Sequence, residues 1–143
     1  MSCWHHPPTL DELVAMSANT MVEHLDIRFT DVGPASITAT MPVDARTHTP
    51  FGHLHGGASV VLAETLGSVA ANHCLDTRSY YAAGLEINAN HVRTVATGRV
   101  TGVVTPVHVG RSTQVWETRI SDEQDRLVCV SRLTVAVLRR PRE

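Results

Sequence analysis

The segment HLHGGASVVLAETLGSVAA, residues 53–71, sets one acidic side chain, Glu64, among apolar and small residues. A carboxylate can act as a general base toward water or as a nucleophile toward an electrophilic carbon. On a helix its neighbours three and four residues away are Val60, Val61, Gly67 and Ser68, none of them a cation. Burying an unpaired carboxylate is costly, so an acid kept in such surroundings is expected to do chemistry. His55-Gly56-Gly57 stands at the start of the same segment. The unpaired N–H groups of a helix's first turn, aided by the helix dipole, suit a developing oxyanion. Glycine lets a ligand approach that backbone, and His55 offers a further donor.

Nine residues separate His55 from Glu64, which along a helix is about 13–14 Å at 1.5 Å per residue. The two cannot meet one carbonyl carbon within a single chain. If they act together, Glu64 faces His55 and Gly56 of another copy, and two such helices lying antiparallel across a two-fold axis build two identical sites. A homodimer is therefore a requirement of the chemistry. His53 and His55 with Glu64 also suggest a metal, but their spacing fits no zinc motif and leaves the glycines unexplained. No metal is expected.

The elements that must carry these residues are legible. Thr9 and Glu12 form a capping box, and Leu10, Leu13, Val14 and Met16 give the short helix after it an apolar side. Leu25, Ile27 and Phe29 alternate, as do Ile37, Ala39 and Met41, and DVGP links these two expected strands. Residues 43–55, with Pro50 and Gly52, read as a loop. The one long helix is expected from Gly56 to about Leu75, apolar almost all round and hence buried. Ser59, Ala63, Gly67, Ala70 and Cys74 form a small-residue stripe for close packing. Four strand-like segments follow: YYAAGLEINAN, GRVTGVVTP, TQVWETRIS and LVCVSRLTVAVL. The fold class is α+β, an antiparallel sheet wrapped around one long central helix.

A chain of 143 residues makes one domain, read here as residues 1–143 with 1–8 and 139–143 as loose termini. A net charge of -2 gives no reason to expect nucleic acid. The cysteines Cys3, Cys74 and Cys129 match no zinc or redox spacing and read as free thiols. There is neither a signal-like start nor a bilayer-spanning apolar run, so a cytoplasmic protein without membrane contact is expected.

The stretches MPVDARTHTPFGHLHGGASVVLAETLGSVAA, GLEINANHVR and GRVTGVVTPVHVGRSTQVWETRI together resemble hotdog-fold acyl-CoA thioesterases. The nearest type is the 1,4-dihydroxy-2-naphthoyl-CoA hydrolase group with its aryl-carrier-protein proofreading relatives; phenylacetate-pathway and 4-hydroxybenzoyl-CoA thioesterases are wider kin. The resemblance runs from about residue 25 to the last strand. It implies the hotdog fold, dimers assembled into homotetramers, and no cofactor beyond the CoA thioester that is the substrate. It places the catalytic carboxylate on Glu64, the thioester-carbonyl contacts on His55 and the Gly56 N–H, and a hydroxyl that orients the acid or a water on Ser68. It places contacts to the CoA ester on Gly84, on His91, Val92, Arg93 and Thr94, and on His108, Val109, Gly110, Arg111, Ser112 and Thr113. Arg93 and Arg111 suit the phosphates of the nucleotide end.

One position departs from the pattern: many relatives carry Gln directly before Pro-Phe-Gly, where this chain has Thr49, with His48 beside it. Thr cannot copy an amide, so Thr49 or His48 is expected to compensate in part. The implied reaction is hydrolysis of aromatic acyl-CoA, or an acyl-carrier thioester, to free acid and CoA. Menaquinone synthesis is one context for it. A non-hydrolytic acyl-CoA-binding or regulatory protein on the same fold is the alternative. A dehydratase would want an Asp–His pair that the motif does not supply. Outside the motif, His5-His6 and Arg139, Arg140 and Arg142 read as solvated ends, Arg99 as surface decoration, Asn88 and Asn90 as solvent-facing or as satisfying backbone groups, and Trp116 and Ile120 as core or dimer interface.

Overall fold

The structure, a computed structural model, describes residues 1–141; Arg142 lies outside them. Two short helices, α1 (Leu10–Ser17) and α2 (Met21–His24), precede strands β1 (Arg28–Val32) and β2 (Ile37–Pro42). The long helix α3 (Gly56–His73) follows, then strands β3 (Tyr80–His91), β4 (Arg99–Val109), β5 (Thr113–Ser121) and β6 (Leu127–Arg139). All six strands form one antiparallel sheet in the order β1-β2-β4-β5-β6-β3. This is the expected α+β architecture, and the 12-residue β3 lies at one edge of the sheet.

The alternation predicted for β2 is met, with Ile37, Ala39 and Met41 fully buried. Trp116 and Ile120 are fully buried in β5, and α3 lies across the same face of the sheet. The small-residue stripe does the expected work. Ser59, Ala63 and Ala70 are buried, and a Cβ on Gly67 would stand 2.6 Å from Leu133 Cδ2. From the sheet side Gly102 reciprocates: a Cβ there would lie 2.9 Å from Leu66 Cδ1. Glycine at both places lets the helix sit deeper on the sheet than any larger residue permits. Elsewhere on the helix Val60, Val61, Glu64, Thr65 and Ser68 remain half-buried. The helix is thus not covered all round within one chain.

Three expectations change. The alternation of Leu25, Ile27 and Phe29 is not one strand: Thr20 caps the single turn α2, Leu25 ends it, and Asp26 takes a φ of 53° before β1 begins. Residues at both ends expected to be loose make defined contacts. Trp4 stacks on Trp116 at 6.2 Å and donates to the Gly33 carbonyl at 2.9 Å, while the His5 and His6 N–H groups both reach the His73 carbonyl. Arg139 pairs with Tyr80 in the sheet, and Arg140 donates to the Thr77 carbonyl at 2.7 Å and covers the Tyr81 ring. Arg99 is no decoration, since its guanidinium joins the Asp26 carboxylate and carbonyl and the Thr40 hydroxyl, tying the α2–β1 corner to β4. The Arg28 side chain, with Arg99, holds the Asp26 carboxyl below its ordinary value. The three cysteines are free thiols, and burial pushes Cys74 and Cys129 up. No helix among the described residues is long and apolar enough to cross a membrane.

Candidate active site

The loop before α3 is built to deliver His55. Thr47 is buried, and its hydroxyl donates to the Pro42 carbonyl at 2.8 Å. Its own carbonyl accepts the His55 N–H at 2.8 Å. His48 bridges to Leu54, closing a small hairpin around Gly52, whose φ of 80° suits glycine. The His48 Nε2 donates to the Ala96 carbonyl at 2.9 Å, so it is committed to holding the hairpin. The Thr49 hydroxyl accepts the Phe51 N–H at 3.2 Å, and its own hydrogen has no acceptor among the described residues. Of the two residues expected to compensate for the missing amide, Thr49 keeps a free donor.

His55 is the N-cap of α3: its Nδ1 accepts the Gly57 N–H at 2.8 Å. A ring nitrogen that accepts carries no proton, so a neutral His55 holds its hydrogen on Nε2. The cap thereby fixes the tautomer that presents an N–H donor outward. The Ala58 and Ser59 N–H groups go to the His55 carbonyl. The Gly56 N–H has no acceptor among the described residues. A free backbone donor and an oriented imidazole donor therefore stand side by side, the pairing an oxyanion needs.

A cleft of about 620 Å³ opens at this corner, lined by Gly56, Ser59, His91, Val92, Arg93 and Thr94 among others. A Cβ on Gly56 would stand 2.8 Å from the His91 ring, so the two residues pack closely and any larger residue at 56 would have to push that ring aside. Arg93 is exposed and steadied by its Nε on the Leu127 carbonyl at 3.3 Å. The expected group His91–Thr94 thus shares one cleft with Gly56.

Glu64 lies two turns along the helix. Ser68 Oγ donates to its Oε1 at 3.1 Å, and the same oxygen stands 3.0 Å from where a Gly84 Cβ would be. Gly84 precedes a bulge in β3, at the break in register between Gly84 and Glu86, and such bulges re-aim the chain beside functional groups. In this chain, then, Gly84 makes room for the acid. Gly84→Ala is expected to displace the carboxylate by tenths of an ångström and lower turnover by about tenfold, since small misplacements at reacting groups are costly. Its melting temperature should barely move, because the only close neighbour of the added methyl is the movable end of the Glu64 side chain; rates and melting curves of the purified variant check both.

The remaining group lies elsewhere. The Gly110 N–H reaches the Thr113 carbonyl across the turn holding Arg111 and Ser112, and His108 folds over Gly110. Val109, Gly110 and Arg111 line a second cleft with Cys74, Leu75 and Tyr80, at the C-terminal end of α3. One chain therefore does not unite the two groups, which sit at opposite ends of the helix. Sequence reasoning missed Asn72, whose signal was its place on Glu64's side of α3, four residues past Ser68. It also missed the capping role of His55, a residue type that seldom caps.

Residues 51–129 match the thioesterase superfamily. The 1,4-dihydroxy-2-naphthoyl-CoA hydrolase of Escherichia coli is 55% identical, over 94% of this chain and 98% of that one. The proofreading thioesterase EntH of Cronobacter sakazakii is 54% identical, over 94% and 98%. The crystal structure of thioesterase PA1618 from Pseudomonas aeruginosa, in a glutamine-to-alanine variant, superposes with a TM-score of 0.95 at 51% identity, covering 97% of this chain and all of that one. An antiparallel sheet packed against one long helix is thus shared with proteins named as thioesterases and hydrolases, and the chain belongs to the thioesterase superfamily as a hotdog-fold thioester hydrolase.

Proposed function

We propose that the protein hydrolyses aromatic acyl-CoA thioesters at two sites formed between copies of the chain in a homodimer. The observation that carries this reading is the division of labour along α3. Free donors lie at its N-terminus, and a carboxylate held by Ser68 lies nine residues on, beyond reach of them within one chain. The Gly56 N–H and His55 Nε2–H of one copy would polarise the thioester carbonyl and hold the oxyanion. Glu64 of the other would act as general base on a water, with Ser68 orienting it, or attack the carbonyl itself, expelling the CoA thiolate to leave a mixed anhydride that water then cleaves to free acid and the regenerated carboxylate. The free edge of β3 supports pairing with a second copy, since an exposed 12-residue edge strand is a template for another chain. Leu85 on that edge is 63% exposed and Phe51 at the loop tip 85%, apolar surface that a partner would cover.

Head-to-tail pairing would also set the His91–Thr94 cleft of one copy toward the Val109–Arg111 turn of the other. Two arginines, Arg93 and Arg111, would then serve the phosphates of one CoA. No cofactor is required, because water is the second substrate. Dimers would assemble further into tetramers, and the cytoplasm is where CoA esters would be met. The name of one relative, a 1,4-dihydroxy-2-naphthoyl-CoA hydrolase, supports an aromatic acyl group, with menaquinone synthesis as one setting. A panel of benzoyl-, dihydroxynaphthoyl- and straight-chain acyl-CoA esters, read by thiol release, tests it. The aromatic esters should lead in kcat/KM by about tenfold or more, the discrimination a shaped pocket supplies. A preference for straight chains would reverse the substrate reading.

A further inference from the structure

Asn72 sits in the last turn of α3 and makes two side-chain hydrogen bonds, one back to the preceding turn of its own helix and one out to the sheet. Its Nδ2 donates to the Ser68 carbonyl at 2.9 Å, and its Oδ1 accepts the Ala82 N–H of β3 at 3.0 Å. The second bond is unusual. Ala82 stands opposite Val137 of β6, and Val137 sends its own N–H to the Ser112 carbonyl at 2.9 Å. That pair therefore exchanges no ladder bonds, and the Ala82 N–H points off the free edge of the sheet. The chain's own helix takes it up.

The connection closes a ring. Glu64 accepts from Ser68, and Asn72 grips the carbonyl of Ser68. Asn72 also fixes Ala82, and Gly84, two residues on, is where the Glu64 carboxylate rests. The helix turn that carries Ser68 and the strand that carries Gly84 are thus held at one spacing by a side chain that touches no reacting atom. We propose that Asn72 is a positioning residue for the thioesterase reaction, tethering α3 to the edge strand β3 so that Glu64 stays seated between Ser68 and Gly84. This rests on the reading of Glu64 as the catalytic acid.

The test is a double-mutant cycle on the full-length protein, with an aromatic CoA ester as substrate. Asn72→Ala should lower kcat by about tenfold with KM unchanged, as expected when a reacting group is misplaced but the substrate contacts remain. Alanine favours the helix, so the fold and melting temperature should be kept. In a Ser68→Ala background the same substitution should cost less than about twofold, because residues acting through one unit are not additive. An unchanged kcat in Asn72→Ala, a rise in KM alone, or losses that simply multiply would each overturn the tether. Glu64→Ala in the same assay separates the two ideas. If turnover survives in it, the reading of the acid fails and the tether with it. If turnover is lost there but intact in Asn72→Ala, only the tether fails.

Discussion

Replacing Glu64 by alanine should reduce thioester turnover by about 10²–10⁴-fold, the range a positioned general base or nucleophile supplies. The loss should fall on kcat. Glu64 is half-buried on the open side of α3 and makes one hydrogen bond, to Ser68. Its removal leaves a hydroxyl that water can reach, so stability should change by no more than about 1 kcal/mol. CoA affinity should stay essentially as it was, because the proposed CoA contacts lie at the two ends of the helix. Glu64→Gln sharpens the point: it keeps the size and can still accept from Ser68, but it can neither take a proton from water nor attack as a carboxylate. Steady-state kinetics and CoA titration of both variants decide it. Near-normal turnover in either would remove the acid from the mechanism.

His55→Ala should cost about 10²–10³-fold in kcat, the scale of losing one oxyanion donor. It should also destabilise the protein by about 1 kcal/mol, because the Gly57 N–H loses its cap. These two effects can be pulled apart. His55→Asn restores a good capping oxygen but, being shorter, does not place a donor where Nε2 stands. Its melting temperature should return toward that of the parent while its turnover stays low. His55→Asp caps as well, yet sets a negative charge where negative charge develops, and should be the slowest of the three. If turnover followed stability through this series, His55 would be a helix cap and nothing more.

How much of this could be seen in the sequence depends on how local each cause is. The start of α3 at Gly56 and the span of β5 from Thr113 to Ser121 follow from the expectation residue for residue, because glycines and period-two alternation are local signals. Glu64 was visible because an acid amid apolar neighbours conflicts with burial, and such conflicts gather at functional sites. The turn α2 was hidden because Leu25, Ile27 and Phe29 mimic a strand, while the positive φ of Asp26 that breaks them apart carries no pattern of its own. The fastening of both ends was hidden for another reason. The Trp4–Trp116 stack and the Arg139–Tyr80 pairing join residues far apart in the chain. The same holds for Asn72, whose partner Ala82 lies on the next element, and for the tautomer of His55, which depends on where one backbone N–H points.

The central claim is that each site takes its acid from one copy and its donors from another, and a mixing experiment tests it most directly. Glu64→Ala and His55→Asn proteins are prepared separately, each nearly inactive, then unfolded together and refolded so that subunits assort at random. Half of the resulting dimers are mixed, and each mixed dimer carries one intact site of two. The account predicts recovery of about one quarter of the parent rate, as two-fold symmetry requires. A mixture no more active than the sum of its two components would mean that acid and donors serve the same chain, and would contradict the account.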